Sequence, residues 1–196
     1  LYSRFFSRAI TKNTQFEIKE PFKGLFTQGM VCHKTFKNQK GEWVFPEDVI
    51  ENNGKFFEKK TNEIIEVGSS ESMSKSKKNV VDPQTVIELY GADAVRWFVL
   101  SDSPPERDIQ WSDEGISGSY KFIQKIWTIS EMIRNIDKNN QLNKEEKPKL
   151  EKIINKLIKE ITFNIESFHF NVAVAKFYEF TNLLSKMLHE NKAEIK

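Results

Sequence analysis

A short polar stretch of the chain gathers the side chains best suited to bind a phosphate chain. Residues 72–78 contain three lysines and three serines, and they lie directly before a predicted helix. Lysine supplies compact positive charge, serine supplies hydroxyl donors, and the helix N-terminus adds its dipole, so together these groups suit a polyphosphate. Taken alone, a solvated surface loop explains the same residues. The set comprises Ser72, Ser74, Lys75, Ser76, Lys77 and Lys78.

The elements after this stretch have clear start and stop signals. Asp82 followed by Pro83 predicts a helix start, and Gly91 predicts its end. A second, apolar helix is expected over residues 93–100. Ser112 predicts the start of a third helix that runs to about residue 137. The apolar face predicted for this third helix comprises Ile123, Ile126, Trp127, Ser130, Ile133 and Ile136, and Trp111 and Trp127 are interpreted as core residues.

The elements before the lysine- and serine-rich stretch are of mixed type. Residues 1–10 predict a helix packed on both flanks, and Pro21 predicts a short helical turn. Residues 31–70 predict a small β-rich region, with turns at residues 38–41, 53–54 and 61–62. A long irregular loop is the alternative for that region. Residues 69–79 are too polar to pack and are expected to form an exposed loop.

The last part of the chain is predicted to be helical. Residues 138–149 form a charged, Asn-rich connector, and two apolar stripes with helical spacing follow it. Two antiparallel helices of a bundle fit this pattern best. The stripes comprise Ile153, Leu157, Ile161, Ile165 and Phe168, and then Ala173, Phe177, Phe180, Leu184 and Met187.

Composition restricts the class of protein. The 196 residues carry a net charge of +2 and are 38% hydrophobic, which indicates a globular chain without strong overall attraction to nucleic acid. No apolar run predicts a membrane span or a secretion signal. One cysteine, Cys32, and three histidines favour a reduced, metal-free protein of the cytoplasm. Because the chain opens on Leu1 and stops within a predicted helix, we expect it to be a piece of a longer protein.

The stretch SMSKSKKNVVDPQTVIELYGADAVRWFVLSDSPPERDIQWSDEG, residues 72–115, resembles the KMSKS region of class I aminoacyl-tRNA synthetases. The match covers the loop, the following Val-Asp-Pro helix and the Gly-Ala-Asp-Ala helix in register. Within that class the sequence is most similar to leucyl-tRNA synthetases of the bacterial type. The upstream FTQGMV, the β-rich insertion and the SDSPPERDIQW segment support this. Ser72 departs from the motif, because the family usually has lysine there.

The resemblance implies a fold and a domain order. The fold class is mostly α with a small β-rich insertion, and combines a partial edge of the Rossmann-like catalytic domain with a helical bundle. Residues 1–30 would be the edge of the catalytic domain, and residues 31–70 the leucine-enzyme-specific insertion. Residues 71–112 would carry the KMSKS loop and its helices. Residues 113–196 would begin the anticodon-binding bundle.

The resemblance also implies a reaction and a set of site residues. In this family the loop acts when leucine is activated with ATP and Mg²⁺, before transfer to tRNA(Leu). By this match Lys75 is catalytic, Met73, Ser74, Ser76 and Lys77 contact ATP, and no metal is held by the chain.

Gly29, Met30 and Val31 would line the adenine side, with a buried strand as the equal alternative. The HIGH signature is absent from these residues, so we expect no activity from this chain without the amino-terminal catalytic and editing portion. Two other possibilities stay open: a non-catalytic tRNA- or protein-binding module, and a synthetase for isoleucine or valine.

Overall fold

The computed structural model describes residues 1–12, 14–16, 18, 20–135 and 146–193. It is mostly helical with two small sheets, as predicted. Two 3₁₀ turns, Pro46–Asp48 and Lys75–Lys77, lie among the longer elements. In chain order these are α1 (Tyr2–Thr11), β1 (Val31–Lys37), β2 (Val49–Asn52), β3 (Lys55–Glu58), β4 (Glu66–Ser72), α2 (Pro83–Tyr90), α3 (Ala92–Ser101), β5 (Ile109–Gln110), α4 (Asp113–Arg134), α5 (Glu146–Glu166) and α6 (Phe170–Ala193).

The larger sheet has three strands in the order β4-β1-β5. Strand β4 pairs antiparallel with β1, and β5 pairs parallel with it. A bulge interrupts the first pairing near Gly68, where a Cβ atom would come within 2.4 Å of the Thr35 hydroxyl. Strand β4 runs through Ser72, so the prediction that residues 69–79 form one exposed loop is wrong for its first four residues. Their carbonyl and amide groups are used in strand pairing, which polarity alone does not indicate.

The second sheet is the hairpin of β2 and β3. Asn53 and Gly54 form its turn, and both have positive φ angles of 50° and 76°. These angles suit the two-residue turn that joins twisted antiparallel strands. A small cluster of Phe36, Val44 and Ile65 lies beside the hairpin. Residues 31–72 therefore contain four strands, and the alternative of a long irregular loop is wrong.

The helical core is formed by elements that come after the loop in the chain. Val86, Phe98, Ile109 and Ile116 form one buried cluster that joins α2, α3, β5 and α4. Gly115 allows this close approach, because a Cβ atom there would lie 2.5 Å from a ring carbon of Phe98. Trp111 packs against the same cluster, as predicted.

The face predicted for α4 is wrong. Its buried residues are Ile116, Ser119, Phe122 and Ile129, whereas Trp127 is 69% exposed. The buried face includes the small residue Ser119, and counting only large apolar side chains shifts the expected stripe. Ile136 lies outside the described residues, as does the predicted helix end near residue 137.

Helix α1 is present, but the expectation that it packs on both flanks is wrong. None of its side chains is buried, and Phe5 is 72% exposed. An apolar stripe identifies a face that can be covered, and no described element buries this one. Its Arg4 makes an ion pair with Glu20 at 2.9 Å. Pro21 starts no helical turn, since residues 21–23 are irregular.

Helices α5 and α6 are joined by a three-residue turn in which Phe168 has a φ angle of 60°. The amide of His169 donates to the carbonyl of Asn164 at 2.8 Å, which closes the end of α5. Trp97 of α3 connects α6 to the core by donating from Nε1 to the Tyr178 hydroxyl at 3.3 Å. Residues 146–149, predicted as connector, belong to α5, and the rest of the predicted connector lies outside the described residues.

Among the described helices, none combines the length and apolar character needed to cross a membrane.

Candidate functional site

The lysine- and serine-rich stretch forms a turn that leaves the sheet at the end of β4. The Met73 amide donates to the carbonyl of Val31 at 3.0 Å, so the start of the loop is joined to the first residue of β1. Lys75–Lys77 then forms a single 3₁₀ turn. Two of the predicted site groups, Met73 and Val31, are thereby brought together.

The two serines of the loop contact each other. The hydroxyls of Ser74 and Ser76 lie 2.7 Å apart, and either one can be the donor. The Lys77 amide donates to the carbonyl of Ser74 at 3.2 Å, and the Lys78 amide donates to the carbonyl of Lys75 at 3.3 Å. Lys78 ends the turn in the left-handed region, with φ 53°. The loop backbone is therefore wound into a tight, locally bonded turn.

The three lysines of the loop differ in what they contact. Lys77 makes a hydrogen-bonded ion pair with Glu71, and hydrogen bonds from Lys77 and then Ser69 lower the pKa of the Glu71 carboxyl. The Lys78 ammonium lies 5.3 Å from the centre of the Phe45 ring, within the range of a cation–π contact. Lys75 is exposed and has no ion pair or side-chain hydrogen bond with any described residue. Among the three loop lysines, it is the one whose ammonium contacts no described side chain.

Sequence reasoning missed the residue that holds the loop. Asn79 was expected to be the exposed end of the loop, yet its exposed fraction is 0%. Its side-chain oxygen accepts from the Ser74 amide at 2.9 Å. An asparagine between a lysine-rich turn and the apolar pair Val80-Val81 was the available signal, since asparagine side chains often bond to nearby backbone.

The start of α2 offers a phosphate fewer free amide donors than its position after the loop suggests. The Asp82 side chain accepts from the Gln84 amide at 3.1 Å and from the Thr85 hydroxyl at 3.2 Å. This is the predicted N-cap. The cap also occupies one of the amides that was expected to face a bound phosphate, and it places a carboxylate at the helix start.

Gly29 and Met30 lie at the opposite edge of β1 from the loop, beside residues 105–109. The Gly29 amide donates to the carbonyl of Pro105 at 2.8 Å, and the Met30 amide donates to the Asp108 carboxylate at 2.8 Å. A Cβ atom on residue 29 would lie 2.0 Å from the Arg107 carbonyl oxygen, so packing explains this glycine. Met30 keeps 57% of its surface exposed.

Cys32 is a buried residue of β1. Burial, and then the neighbouring Asp108, raise the pKa of its thiol. This disfavours the thiolate, which is the form that binds metals and attacks electrophiles. Within the described part of the chain, no three His, Cys, Asp or Glu side chains are grouped so that they could hold a metal ion.

Comparison with known proteins connects this geometry to a family. The family model described as tRNA synthetases class I (I, L, M and V) matches residues 56–112, which include the loop, α2 and α3. The leucine–tRNA ligase of Rickettsia typhi is 43% identical over 198 aligned residues, which cover 100% of this chain. The leucine–tRNA ligase of Wolbachia pipientis subsp. Culex pipiens is 47% identical over 95% of this chain. The predicted resemblance to leucine–tRNA ligases is confirmed.

A solved structure supports the same conclusion. The crystal structure of the Agrobacterium radiobacter K84 agnB2 LeuRS–tRNA–LeuAMS ternary complex aligns with 98% of this chain at a TM-score of 0.64 and 26% identity. The similarity to a leucine–tRNA ligase thus extends over sequence and fold alike, beyond the loop that first indicated it.

The chain corresponds to only part of these proteins. It spans 23% of the Rickettsia typhi ligase, 22% of the Wolbachia ligase and 21% of the Agrobacterium chain. The similarity is therefore to one segment of these ligases.

Proposed function

We propose that this chain is the segment of a leucine–tRNA ligase that carries the KMSKS-type loop. The complete enzyme would activate leucine with ATP to leucyl-adenylate and transfer the leucyl group to tRNA(Leu). Leucine, ATP, tRNA(Leu) and the amino-terminal catalytic and editing portion would be its partners. The cytoplasm is the compartment in which we place this reaction.

The observation that carries this proposal is the contrast among the loop lysines. Lys77 and Lys78 already have partners, while Lys75 is exposed with no described partner. In adenylate formation the leucine carboxylate attacks the α-phosphate of ATP, and pyrophosphate leaves with additional negative charge. A cation that meets the leaving phosphates stabilises the transition state more than the ground state. Lys75 is the residue to which we assign that role.

The other predicted site residues would contact ATP beside Lys75. Ser74 and Ser76 would orient the turn and donate hydroxyl hydrogen bonds to ATP, with Met73 and Lys77 beside them. Gly29, Met30 and Val31 would border the adenine, which agrees with the exposure of Met30 and with the hydrogen bond between Met73 and Val31. Ser72 supplies no charge at the first position of the motif. Because Lys77 and Lys78 are engaged elsewhere, this loop would work with one free cation.

Magnesium would reach this site bound to ATP. The loop offers ammonium and hydroxyl groups, and its nearest carboxylate, Glu71, is paired with Lys77. This donor set does not fit a magnesium site, because the ion prefers carboxylate and phosphate oxygens. We therefore assign no magnesium ligand to these residues.

We also propose the finer architecture. Residues 1–30 would be an edge of the Rossmann-like catalytic domain, and residues 31–70 the leucine-enzyme-specific insertion. Residues 71–112 would carry the loop and its helices, and residues 113–196 would begin the anticodon-binding helical bundle. The packing of α6 with α3 through Trp97 and Tyr178 supports a continuous helical unit after the loop.

Leucine-dependent exchange of pyrophosphate into ATP tests this function. The ligase containing this segment should exchange with leucine and much less with isoleucine or valine. The isolated segment should show no exchange. Preference for isoleucine or valine would support a different synthetase. Robust exchange by the isolated segment would overturn the interpretation that it carries only part of the active site. Salt-dependent tRNA binding by a complete protein that lacks all ATP effect would support a non-catalytic module instead.

A further inference from the structure

The loop is closed by the side chain of a residue that has no charge and no exposed surface. Asn79 makes four hydrogen bonds, all of them to backbone atoms. Its Oδ1 accepts from the Ser74 amide at 2.9 Å. Its two Nδ2–H groups are shared among three carbonyls, those of His33 at 3.2 Å, Glu71 at 3.1 Å and Ser72 at 3.4 Å.

These bonds do two separate things. The bond to Ser74 joins the two ends of the turn formed by residues 74–79, so the turn becomes a closed ring. The bonds to the three carbonyls fasten that ring to β1 and to the end of β4. Because Lys75 follows Ser74 directly, both its backbone position and the origin of its side chain are set by Asn79.

Only an amide of this length satisfies the site. The oxygen must accept one N–H, and the nitrogen must donate to carbonyls in a space closed to water. Aspartate keeps the acceptor but turns an anionic oxygen toward carbonyl oxygens, and alanine removes both the acceptor of the Ser74 N–H and the donor to the carbonyls. Such losses are costly where water cannot replace them.

We propose that Asn79 is a positioning residue that sets where Lys75 meets the leaving phosphates. This inference rests on the proposed function, because it concerns the position of Lys75 in the same proposed ATP site. Asn79 would touch neither ATP nor leucine. Its effect on the reaction would pass entirely through Lys75.

The first test needs no enzymatic activity. Hydrogen exchange of the Ser74 amide is measured in this chain for the wild type, Asn79→Asp and Asn79→Ala. Protection should fall in that order, because aspartate retains the acceptor and alanine does not. Asn38→Ala is the matched control: the Asn38 side chain accepts from the Lys40 and Glu42 amides and closes a turn in the β-rich region. It should leave Ser74 protected, whereas equal protection of Ser74 in all variants would overturn the proposal.

The second test asks whether Asn79 acts through Lys75. In the ligase containing this segment, Asn79→Ala should lower kcat for leucine-dependent exchange by about 10- to 100-fold, as expected for misplacing a catalytic group. The KM for leucine should stay the same. In a Lys75→Ala background the second substitution should add almost nothing, because the group that it misplaces is already gone.

Additive effects of Asn79→Ala and Lys75→Ala would contradict the positioning role and indicate a general structural one. Asn79→Asp keeps the inference testable if the alanine variant fails to fold, since it should show the same lack of additivity with a smaller loss. A wild-type ligase without leucine-dependent exchange would overturn the proposed function. The Ser74 amide would then still report whether Asn79 closes the turn.

Discussion

The polar loop of residues 73–79 and helix α1 contrast in a way that their residue types do not suggest. The loop is made of lysine and serine, yet one of its side chains is fully buried and its turns are closed by hydrogen bonds. Helix α1 carries Tyr2, Phe5, Phe6 and Ile10, yet none of its side chains is buried. The lysine- and serine-rich loop is therefore fixed by contacts with its surroundings, whereas the aromatic helix α1 is not.

The difference shows what fixes each element. A loop rich in polar groups is held where backbone amides and carbonyls find partners, and here Asn79 and Asp82 provide them. An apolar helix is held by what covers it, and the described part of the chain does not cover α1. Helix stability in proteins comes mainly from packing of the apolar face. The contrast predicts that substitutions near the loop matter and that similar ones in α1 do not.

The largest effect is expected for Phe98→Ala. Phe98 is 3% exposed and belongs to the cluster that anchors α2 behind the loop. Removing a buried phenylalanine ring loses its transfer free energy and leaves a cavity, which lowers the free energy of unfolding by about 3–5 kcal/mol. Urea denaturation measures this. The matched control is Phe5→Ala, which removes the same ring from a 72% exposed position and should change the value by less than about 0.5 kcal/mol. Equal losses would remove the contrast.

A smaller loss is expected for Gly115→Ala. The added methyl group would lie 2.5 Å from a Phe98 ring carbon, so α3 and α4 must separate or the ring must turn. Overpacking of this kind costs about 1–3 kcal/mol. Gly118→Ala is the control on the same helix, because a Cβ atom there meets nothing within 4 Å. A Gly115→Ala variant as stable as Gly118→Ala would show that this contact is not tight.

Loss of the Asp82 cap at the start of α2 should lower the free energy of unfolding by a smaller amount. Asp82→Ala removes the acceptor of the Gln84 amide, and the loss of such a cap lowers the free energy of unfolding by about 1 kcal/mol. Asp93→Ala provides the comparison, since among the described residues the Asp93 side chain contacts only Arg96, in an exposed ion pair at 3.2 Å. Exposed pairs contribute little. If both variants lose the same amount in urea denaturation, the cap does not hold the end of the loop.

The smallest effect on stability is expected for the ion pair between Lys77 and Glu71. The pKa of Glu71 is lowered in the folded chain, so the carboxylate form is stabilised by folding. That contribution is present above the unfolded pKa and is lost as the pH falls through the lower folded value. An NMR titration should place the Glu71 midpoint below 4.5, and Lys77→Met should raise it. A midpoint that Lys77→Met leaves unchanged would show that the ion pair does not form in solution.

Much of the architecture was predictable because local signals agree with it. The cap at Asp82, the stop at Gly91 and the hairpin turn at Asn53 and Gly54 each rest on a chemistry that acts over a few residues. The exposure of α1 and the buried face of α4 were not predictable in this way. Both depend on which distant element lies alongside, and Ser119 and Gly115 enter the core because small residues let helices approach.

The candidate site was predictable only in part. The motif identified Lys75, and nothing described contradicts its assignment, which stays a prediction. Asn79 was missed because its four bonds reach residues 33, 71, 72 and 74, and three of those partners lie on two strands whose pairing the sequence does not specify. The ion pair of Lys77 was missed for the same reason, since Glu71 lies on β4. The contact of Lys78 was missed because its partner, Phe45, is distant in the sequence.

The role of Lys75 is tested most directly by single-turnover formation of leucyl-adenylate in the ligase containing this segment. Lys75→Ala should slow this step by about 2–4 kcal/mol of barrier, or roughly 30- to 1000-fold, because one contact to the leaving phosphates is lost. Lys40→Ala, which removes an exposed lysine of the β-rich region, should leave the rate unchanged. An adenylate rate for Lys75→Ala equal to that of the wild type would contradict the account.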